Sequence, residues 1–304
     1  MTKHVAVLKG GWSVERAVSL VSGAAVAEAL RGEGYQVSEI DVTPDVIQSL
    51  TALKPDVAFN ALHGRWGEDG CMQGVLEILQ IPYSHSGVAA SAVAMDKILA
   101  KNLFRAADIP CAQDHLVTVQ ELFAKDPLPR PFVVKPYNEG SSVGVVVVRE
   151  KDDLSPSYPG PWQDNALVMT EAYLPGRELT VTVMDGRALA VTELRPRQGF
   201  YDYDAKYVEG KTDHIIPAQL DSQTSGRIMA YAEQAHKILG CRGITRSDFR
   251  LDDSPGGDGV AYILEINTQP GMTPLSLVPE QARHKGIKFG QLVSWMVEDA
   301  SCGR

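Results

Sequence analysis

The sequence predicts an α/β fold, α+β in parts, with three domains around a shared cleft and an N-terminal doubly wound parallel sheet. At 304 residues the chain is long for a single domain. Its hydrophobic pattern also changes along the chain, from alternating strands and helices to strand pairs and hairpins. We therefore expect an N-terminal domain at 1–95, a central domain at 96–178 and a C-terminal domain at 179–304.

The N-terminal domain begins with HVAVL at 4–8, an apolar run that predicts a buried strand. A helix is predicted to start at Ser13, whose hydroxyl can cap its first turn. One face of this helix carries Val14, Val18, Val21 and Ala25. The segments YQVSEIDV, DVIQSLTAL and PDVAFNAL then predict strand, helix and strand, which is typical of repeated βα units.

The central domain is predicted to begin with a helix from Met95 to about Ala107. Two apolar runs, PFVVKPY and GVVVVRE, then flank the segment NEGSS, and NALVMTEAYLPG predicts a strand that ends in a turn. This pattern favours a small α+β unit.

The C-terminal domain opens with ELTVTVMDGRALAVTEL, which predicts a hairpin because Asp185-Gly186 is a strong turn signal. The segment 195–217 is longer than an ordinary connection, so we predict a lid loop there. A helix from about Ser222 precedes the strands ITRSDFRL and VAYILEIN and two closing helices.

Charge and composition exclude several classes of protein. The net charge is −9 and no cluster of Lys and Arg forms a track for a phosphodiester backbone, so we expect no nucleic-acid partner. No apolar run approaches the roughly 20 residues that span a bilayer, and the N-terminus lacks a signal-peptide pattern. The four cysteines lack the spacing of a zinc site. We therefore expect a cytoplasmic protein with no membrane partner.

Polar residues on the last two predicted strands form the sharpest site. Asp248 lies on one strand, and Glu265 and Asn267 share one face of the next because strand side chains alternate. Alternation also predicts that Tyr262, Leu264 and Ile266 point into the core. Three oxygen ligands facing one space suit Mg²⁺, which shares its coordination sphere with phosphate.

The segment EGSSVG at 139–144 lies between two strands, four residues after Lys135. Its glycines can turn backbone N–H groups toward an anion, and Ser141 and Ser142 add hydroxyl donors. A phosphate-binding flap is therefore predicted, although a bare hairpin turn would have the same pattern.

Other candidates are weaker on sequence alone. Glu171 and Glu178 flank a strand end where a carboxylate can hold ribose hydroxyls, but an ordinary strand end is the simpler interpretation. Glu15 complements a helix dipole in any case. His63 and Glu68 lie in a glycine-rich loop after a strand, where α/β sheets bind ligands, although a lone histidine is more often structural.

Arg246 shares the strand face of Asp248 and can stabilise a developing oxyanion. The segment QPGMTPLSLVP at 269–279 offers backbone N–H groups and Ser276 at a helix start, which suit a substrate carboxylate. Helix capping by Ser276 is the alternative.

Six stretches together resemble the ATP-grasp fold and, within it, the D-alanine–D-alanine ligase family. They are GGWSVERAVSLVSG, ALHGRWGEDG, MDK at 95–97, VVKPYNEGSSVGV, FYDYDAKY and EINTQPGMTPLSLVP. Two departures stand out. Ala172 occupies a position where relatives often carry lysine, and Trp66 one where many have a small residue.

The resemblance implies a role for each matching position. ATP would be held by Lys97, Lys135, Glu139, Ser141, Ser142, Glu171, Ala172, Leu174, Glu178 and Lys206. The amino-acid substrates would contact Glu15, His63, Ser141, Tyr207, Arg246, Gly271, Ser276 and Leu277. Two Mg²⁺ or Mn²⁺ ions would bind Asp248, Glu265 and Asn267. A homodimer and a monovalent cation are also implied.

The implied reaction joins two D-alanine molecules through an acyl phosphate, releasing ADP and phosphate, for peptidoglycan precursor synthesis. A sister ligase with D-lactate or D-serine as its second substrate is one alternative. A nucleotide-binding regulatory protein that has lost catalysis is another, but it would have no need of Arg246.

Overall fold

A computed structural model describes residues 2–140, 144–155, 162–163, 166–197 and 210–303, whose strands form three β-sheets. One sheet is parallel and two are antiparallel, with helices packed against all three. The mixed α/β prediction is therefore confirmed. No described helix is long and apolar enough to cross a membrane.

The first sheet is parallel in the order β2-β1-β3, formed by β1 (His4–Lys9), β2 (Gln36–Asp41) and β3 (Val57–Asn60). Three helices follow its strands: α1 (Arg16–Gly32), α2 (Val46–Leu53) and α3 (Cys71–Leu79). Val5 and Val7 belong to the core on one side of the sheet, and Ala6 and Leu8 to the core on the other. Both faces are thus covered, as a doubly wound sheet requires.

Helix α1 differs from its prediction in its start and in its buried face. Its N-cap is Glu15 rather than Ser13, and Val14 and Val21 are 79% and 51% exposed. Ser19 is buried instead because its hydroxyl accepts from Gly10 N at 2.8 Å and donates to Ala61 O at 2.8 Å. The helix therefore turns a polar stripe toward the ends of β1 and β3.

The second sheet is antiparallel in the order β4-β7-β5-β6. It is formed by β4 (Asp114–Thr118), β5 (Phe132–Lys135), β6 (Val146–Val148) and β7 (Leu167–Ala172). The helices α4 (Val88–Met95) and α5 (Lys97–Ala106) precede it, and α6 (Val119–Ala124) covers its core. Asp96 caps α5, since its carboxylate accepts from Ile98 N and Leu99 N, each at 3.0 Å.

The third sheet is antiparallel in the order β10-β9-β8-β11-β12. Its strands are β8 (Arg177–Met184), β9 (Arg187–Pro196), β10 (Thr212–Ile215), β11 (Ile244–Leu251) and β12 (Ala261–Asn267). The predicted turn joins β8 to β9, with positive φ angles of 52° at Asp185 and 69° at Gly186. Strand β10 lies within the segment 195–217 that was predicted to be a loop.

Helix α7 (Ser222–Ile238) lies against the third sheet. The closing helices α8 (Leu277–His284) and α9 (Phe289–Glu298) contribute Val278, Ala282 and Val293 to the core of the first sheet. Ala100 and Phe104 of α5 pack into the core of the third sheet. Helices from one part of the chain thus pack into the core of another sheet, which brings the three sheets together around one cleft.

Candidate active site

Two cavities adjoin in this cleft. The first is bounded by the loops after β1 and β3, the start of α5 and the segment between β12 and α8, including Glu15, His63, Arg246, Asn267 and Ser276. The second lies between the central and C-terminal sheets, with Lys135, Glu171, Leu174, Glu178 and Asp248 among its lining residues. Four residues line both cavities: Lys97, Glu139, Gly140 and Glu265. A ligand in either cavity therefore meets the same short wall.

The predicted metal ligands face this wall from β11 and β12. Asp248 lies opposite Glu265, and Arg246 lies opposite Asn267 in the antiparallel register. The register shifts between Asp248 and Phe249, a β-bulge that inserts one residue into β12.

Because of the bulge, part of the side-chain alternation predicted for β12 is wrong. Ile266 is buried as expected, but Ile263 rather than Leu264 belongs to the core, and Tyr262 is only half-buried. Leu264 instead lines the second cavity beside Glu265. An inserted residue turns two consecutive side chains to the same face, which strict alternation cannot predict.

The carboxylate of Asp248 is held by its strand neighbours. Arg246 donates from Nε to Oδ1 at 2.9 Å and from Nη2 to Oδ2 at 2.8 Å, and Thr180 Oγ1 donates to Oδ1 at 2.7 Å. Asn267 Oδ1 accepts from Gln269 N at 2.8 Å. The guanidinium of Arg246 is thus fixed at the edge of the first cavity.

This donor set fits Mg²⁺. No three His, Cys, Asp or Glu side chains converge as a metal cluster within the described part of the chain. The candidate set has two carboxylates and one amide, all oxygen donors of the kind Mg²⁺ prefers, beside a cavity large enough for phosphate to complete the sphere.

Lys97 starts α5 and lies at the junction of the two cavities. Its Nζ donates to Glu139 O at 2.6 Å and lies 3.2 Å from Glu265 Oε2. The side chain is 9% exposed and lines both cavities of the cleft. Lys97 therefore links Glu139, the first residue of the flap, to Glu265 on β12.

Glu171, Lys135 and Lys101 form a buried charge cluster, of which the sequence predicted only Glu171 and Lys135 as site residues. Glu171 accepts from Lys135 Nζ at 2.6 Å through Oε2, and Lys101 Nζ donates to its Oε1. Burial opposes ionisation of Glu171, but the charges of both lysines outweigh it and lower the pKa of this carboxyl to about 2. Burial likewise opposes the charge of Lys135, but Glu171 reverses the effect and raises the pKa of this lysine.

Lys101, which is fully buried, was missed in the sequence. The only signal was its position four residues after Lys97, which puts both on one face of α5. Both oxygens of Glu171 bind lysines, whereas Glu178 lines the same cavity with its Oε2 4.0 Å from Arg250 Nη2.

The implied ATP-binding residues Ala172, Leu174 and Glu178 all line the second cavity. Ala172 N is already engaged, donating to Gln113 O at 2.9 Å. The apolar side chains of Val133 and Leu264 line the same cavity. An apolar slot edged by backbone suits a flat heteroaromatic ring.

Glu15 is 5% exposed and meets the flap. An added Cβ at Gly140 would lie 3.1 Å from Glu15 Oε2, and one at Gly64, whose φ is +72°, would lie 2.5 Å from the same oxygen. A side chain at Gly64 would therefore be strained by the positive φ and would displace the Glu15 carboxylate, whereas one at Gly140 would need that carboxylate to move by only a few tenths of an ångström. Ser141 follows Gly140 directly, but Ser141, Ser142, Lys206 and Tyr207 lie outside the described residues.

His63 is held by both ring nitrogens. Nδ1 lies 3.1 Å from Glu68 Oε1, and Nε2 lies 3.0 Å from Ser22 Oγ. The imidazole lines the first cavity while its orientation is fixed by these two contacts. Trp66, in contrast, lines neither cavity; it lies beside Trp12 with ring centroids 6.1 Å apart.

The loop before α8 completes the first cavity. Ser276 is the N-cap of α8 but makes no side-chain capping bond; its Oγ accepts from Thr273 N at 2.9 Å instead. An added Cβ at Gly271 would lie 2.9 Å from Ser276 Oγ, so only glycine fits there without a shift. Leu277, the first residue of α8, also lines the first cavity.

Comparisons with known proteins agree across the chain. A family model described as D-ala D-ala ligase C-terminus matches residues 103–298, and one described as D-ala D-ala ligase N-terminus matches residues 45–86. The chain is 54% identical over 302 residues to a D-alanine–D-alanine ligase of Granulibacter bethesdensis, covering 99% of this chain and 98% of that protein. It is 56% identical over 302 residues to one of Acidiphilium cryptum, covering 99% of each.

Solved structures give the same result. A D-alanine–D-alanine ligase from Bacillus anthracis superposes with a TM-score of 0.83 at 34% identity, covering 98% of this chain and 97% of that one. The same enzyme complexed with ATP superposes with a TM-score of 0.81 at 32% identity and the same coverage.

Proposed function

Since the chain belongs to the D-alanine–D-alanine ligase family, we propose that its two adjoining cavities are the nucleotide and amino-acid sites of this reaction. The enzyme uses ATP to join two D-alanine molecules for peptidoglycan synthesis, and its fold is the ATP-grasp fold of that family. Each step of the reaction can then be assigned to particular residues around the cleft.

One observation supports the assignment most strongly: both cavities share Lys97, Glu139, Gly140 and Glu265 as a common wall. A phosphoryl group transferred from nucleotide to carboxylate must lie between the two ligands. This wall offers a buried ammonium, the glycine-rich flap and a carboxylate at that boundary.

In the nucleotide site, we assign the adenine ring to the slot between Val133, Leu174 and Leu264, and the ribose hydroxyls to Glu178. Lys97 and Lys135 would bind the phosphates, with Ser141, Ser142 and Lys206 from the flap and lid. This order places the terminal phosphate at the shared wall.

Asp248, Glu265 and Asn267 would hold the two divalent ions, Mg²⁺ or Mn²⁺. When bound, such ions neutralise phosphate charge during transfer. These three residues keep oxygen ligands at the boundary between the two cavities. Arg246 and Lys97 limit the mutual repulsion of the two carboxylates there.

In the amino-acid site, Glu15 would bind the ammonium of the first D-alanine, with Ser141 and Tyr207 closing over it and His63 packed beside it. The first carboxylate attacks the γ-phosphorus of ATP, which forms an acyl phosphate and releases ADP. The second D-alanine, held by Ser276 and Leu277 N–H, loses an ammonium proton and attacks the acyl carbon. The C–N bond forms in a tetrahedral intermediate, and phosphate leaves as that intermediate collapses.

Arg246 and Gly271 N–H would stabilise the oxyanion of the tetrahedral intermediate. Water must be excluded, because it would hydrolyse the acyl phosphate. We assign that role to the flap and to the segment 195–217 with Lys206 and Tyr207.

A homodimer and a monovalent cation requirement are proposals carried by the resemblance. A cytoplasmic location and domain limits at 1–95, 96–178 and 179–304 are proposals carried by the composition and hydrophobic pattern of the sequence.

The direct test measures phosphate release from Mg·ATP with D-alanine, with L-alanine, and with D-alanine plus D-lactate, and identifies the products by mass. Dipeptide with stoichiometric ADP from D-alanine, and none from L-alanine, is expected. A mixed D-alanyl-D-lactate product would instead identify a sister ligase. ATP binding without phosphate release would contradict catalysis altogether.

A further inference from the structure

Helix α5 carries a row of cations that reaches three separate elements. Lys97, Lys101 and Arg105 recur every four residues, so they share one face of the helix. Lys97 contacts the flap and β12, Lys101 contacts Glu171 of β7, and Arg105 contacts Asp114 of β4. One rigid helix therefore sets the position of charges on both sides of the nucleotide cavity.

Lys101 differs from Lys97 in lining neither cavity. Its ammonium is completely buried and bonds to Glu171 Oε1, while Lys135 takes Oε2. A buried lysine is costly unless it is paired, and here its partner already has another cation. One lysine would neutralise Glu171, so the second requires an explanation.

The charges of the three side chains explain the second lysine. Two ammonium groups against one carboxylate leave this cluster with a net charge of +1. Lys135 is the member that lines the nucleotide cavity together with Glu171, whereas Lys101 lies behind them. Without Lys101, Lys135 would be the sole counter-ion of Glu171 and the cluster would be neutral.

We propose that Lys101 is a positioning residue that satisfies Glu171 from behind and so leaves the charge of Lys135 available to the phosphates of ATP. This inference rests on the proposed nucleotide site. It assigns Lys101 no contact with ATP; its action passes through Glu171 to Lys135.

The test is calorimetric titration of the full-length protein with ATP and with adenosine, which lacks phosphate. Lys101→Met should weaken ATP binding about tenfold, the effect of losing one partly buried charge interaction. Adenosine binding should stay within about twofold, because the adenine slot does not involve Lys101. Equal losses for both ligands would mean that Lys101 merely supports the structure of β7 around Glu171, and would overturn the proposal.

A double variant separates charge from folding. Glu171 lines the nucleotide cavity, so the double variant Lys101→Met with Glu171→Gln is compared with Glu171→Gln alone. Because Lys101 acts through Glu171, adding Lys101→Met to Glu171→Gln should change ATP affinity by less than about twofold. If Lys101→Met alone does not fold, this comparison still carries the test, and a further large loss of ATP affinity in the double variant would contradict the proposal.

Two controls complete the design. Arg105→Met removes another cation from the same helix face but leaves Glu171 paired, and should retain wild-type ATP affinity within about twofold. Wild-type protein is measured first. If the wild-type protein does not bind ATP, the proposed function fails. If the wild-type protein and the Lys101→Met variant bind ATP equally well, only the inference about Lys101 is overturned.

Discussion

Arg246 and Asp248, two residues apart on β11, are joined by two parallel hydrogen bonds of 2.9 and 2.8 Å on the cavity side of the strand. These bonds hold the plane of the Arg246 guanidinium, and they also hold the carboxylate of Asp248, a proposed metal ligand. Substituting either residue therefore disturbs the other.

Arg246→Ala should lower the rate of dipeptide formation by about 10²–10³, the range for loss of one oxyanion donor. The free energy of unfolding should also fall, because the variant leaves Asp248, whose side chain is 14% exposed, without this ion pair. Steady-state kinetics and urea unfolding measure the two effects. Arg31→Ala, which removes a half-exposed partner of Glu39, is the control and should leave the rate unchanged; an equal rate in both variants would contradict the oxyanion role.

Glu265→Gln should abolish most phosphate release while leaving adenosine binding intact, because it removes one negative oxygen from the proposed metal set but no part of the adenine slot. Asn267→Ala should instead raise the Mg²⁺ concentration needed for half-maximal rate several-fold. A Mg²⁺ titration of each variant measures this. Unchanged Mg²⁺ dependence in both would place the metal elsewhere.

Leu264→Ala and Ile263→Ala test the bulge as a matched pair. Leu264 lines the nucleotide cavity, so its truncation should raise the KM for ATP several-fold with a small loss of stability. Ile263 is fully buried, so its truncation should lower the free energy of unfolding by about 2–5 kcal/mol. The reverse pattern would restore the strict alternation that the sequence predicts.

The stability of the protein should fall as the pH drops from about 6.5 toward 4, in part through His236. Burial lowers the pKa of His236 from 6.5 to about 4, and its Nδ1 lies 2.8 Å from Thr245 Oγ1. Below pH 6.5 the unfolded chain binds a proton there that the folded chain does not, so unfolding becomes easier.

The contribution of His236 amounts to roughly 3 kcal/mol at most, from about 1.36 kcal/mol per pKa unit. Urea unfolding at about pH 7.5, 6 and 5 for wild type and His236→Gln measures it. The variant should show a flatter dependence, and parallel curves would assign the acid sensitivity to other groups.

The sequence predicted individual strands and turns where their signals are local, but it missed β10. The apolar run at 4–8 and the Asp185-Gly186 turn each depend on neighbouring residues alone. It could not predict Lys101, because a lysine on a helix is ordinarily solvated, and only the packing of α5 on β7 brings Glu171 within reach. The face of Leu264 was missed for a similar reason: a single inserted residue is set by the pairing of β11 with β12.

The buried side of α1 shows the same limit. Hydrophobicity placed Val21 on the apolar face of the helix, yet Val21 is 51% exposed, whereas Ser19 is buried because backbone groups of two loops require a partner. Polar burial of this kind is determined by where the chain passes in three dimensions.

The wall shared by the two cavities has a thermodynamic consequence. Lys97 and Glu265 cannot change position for one ligand without changing the site of the other. Nucleotide and amino acid are therefore linked ligands, and the factor by which ATP alters the affinity for D-alanine must equal the factor by which D-alanine alters the affinity for ATP. Any substitution in this wall would change that single coupling free energy as well as either affinity.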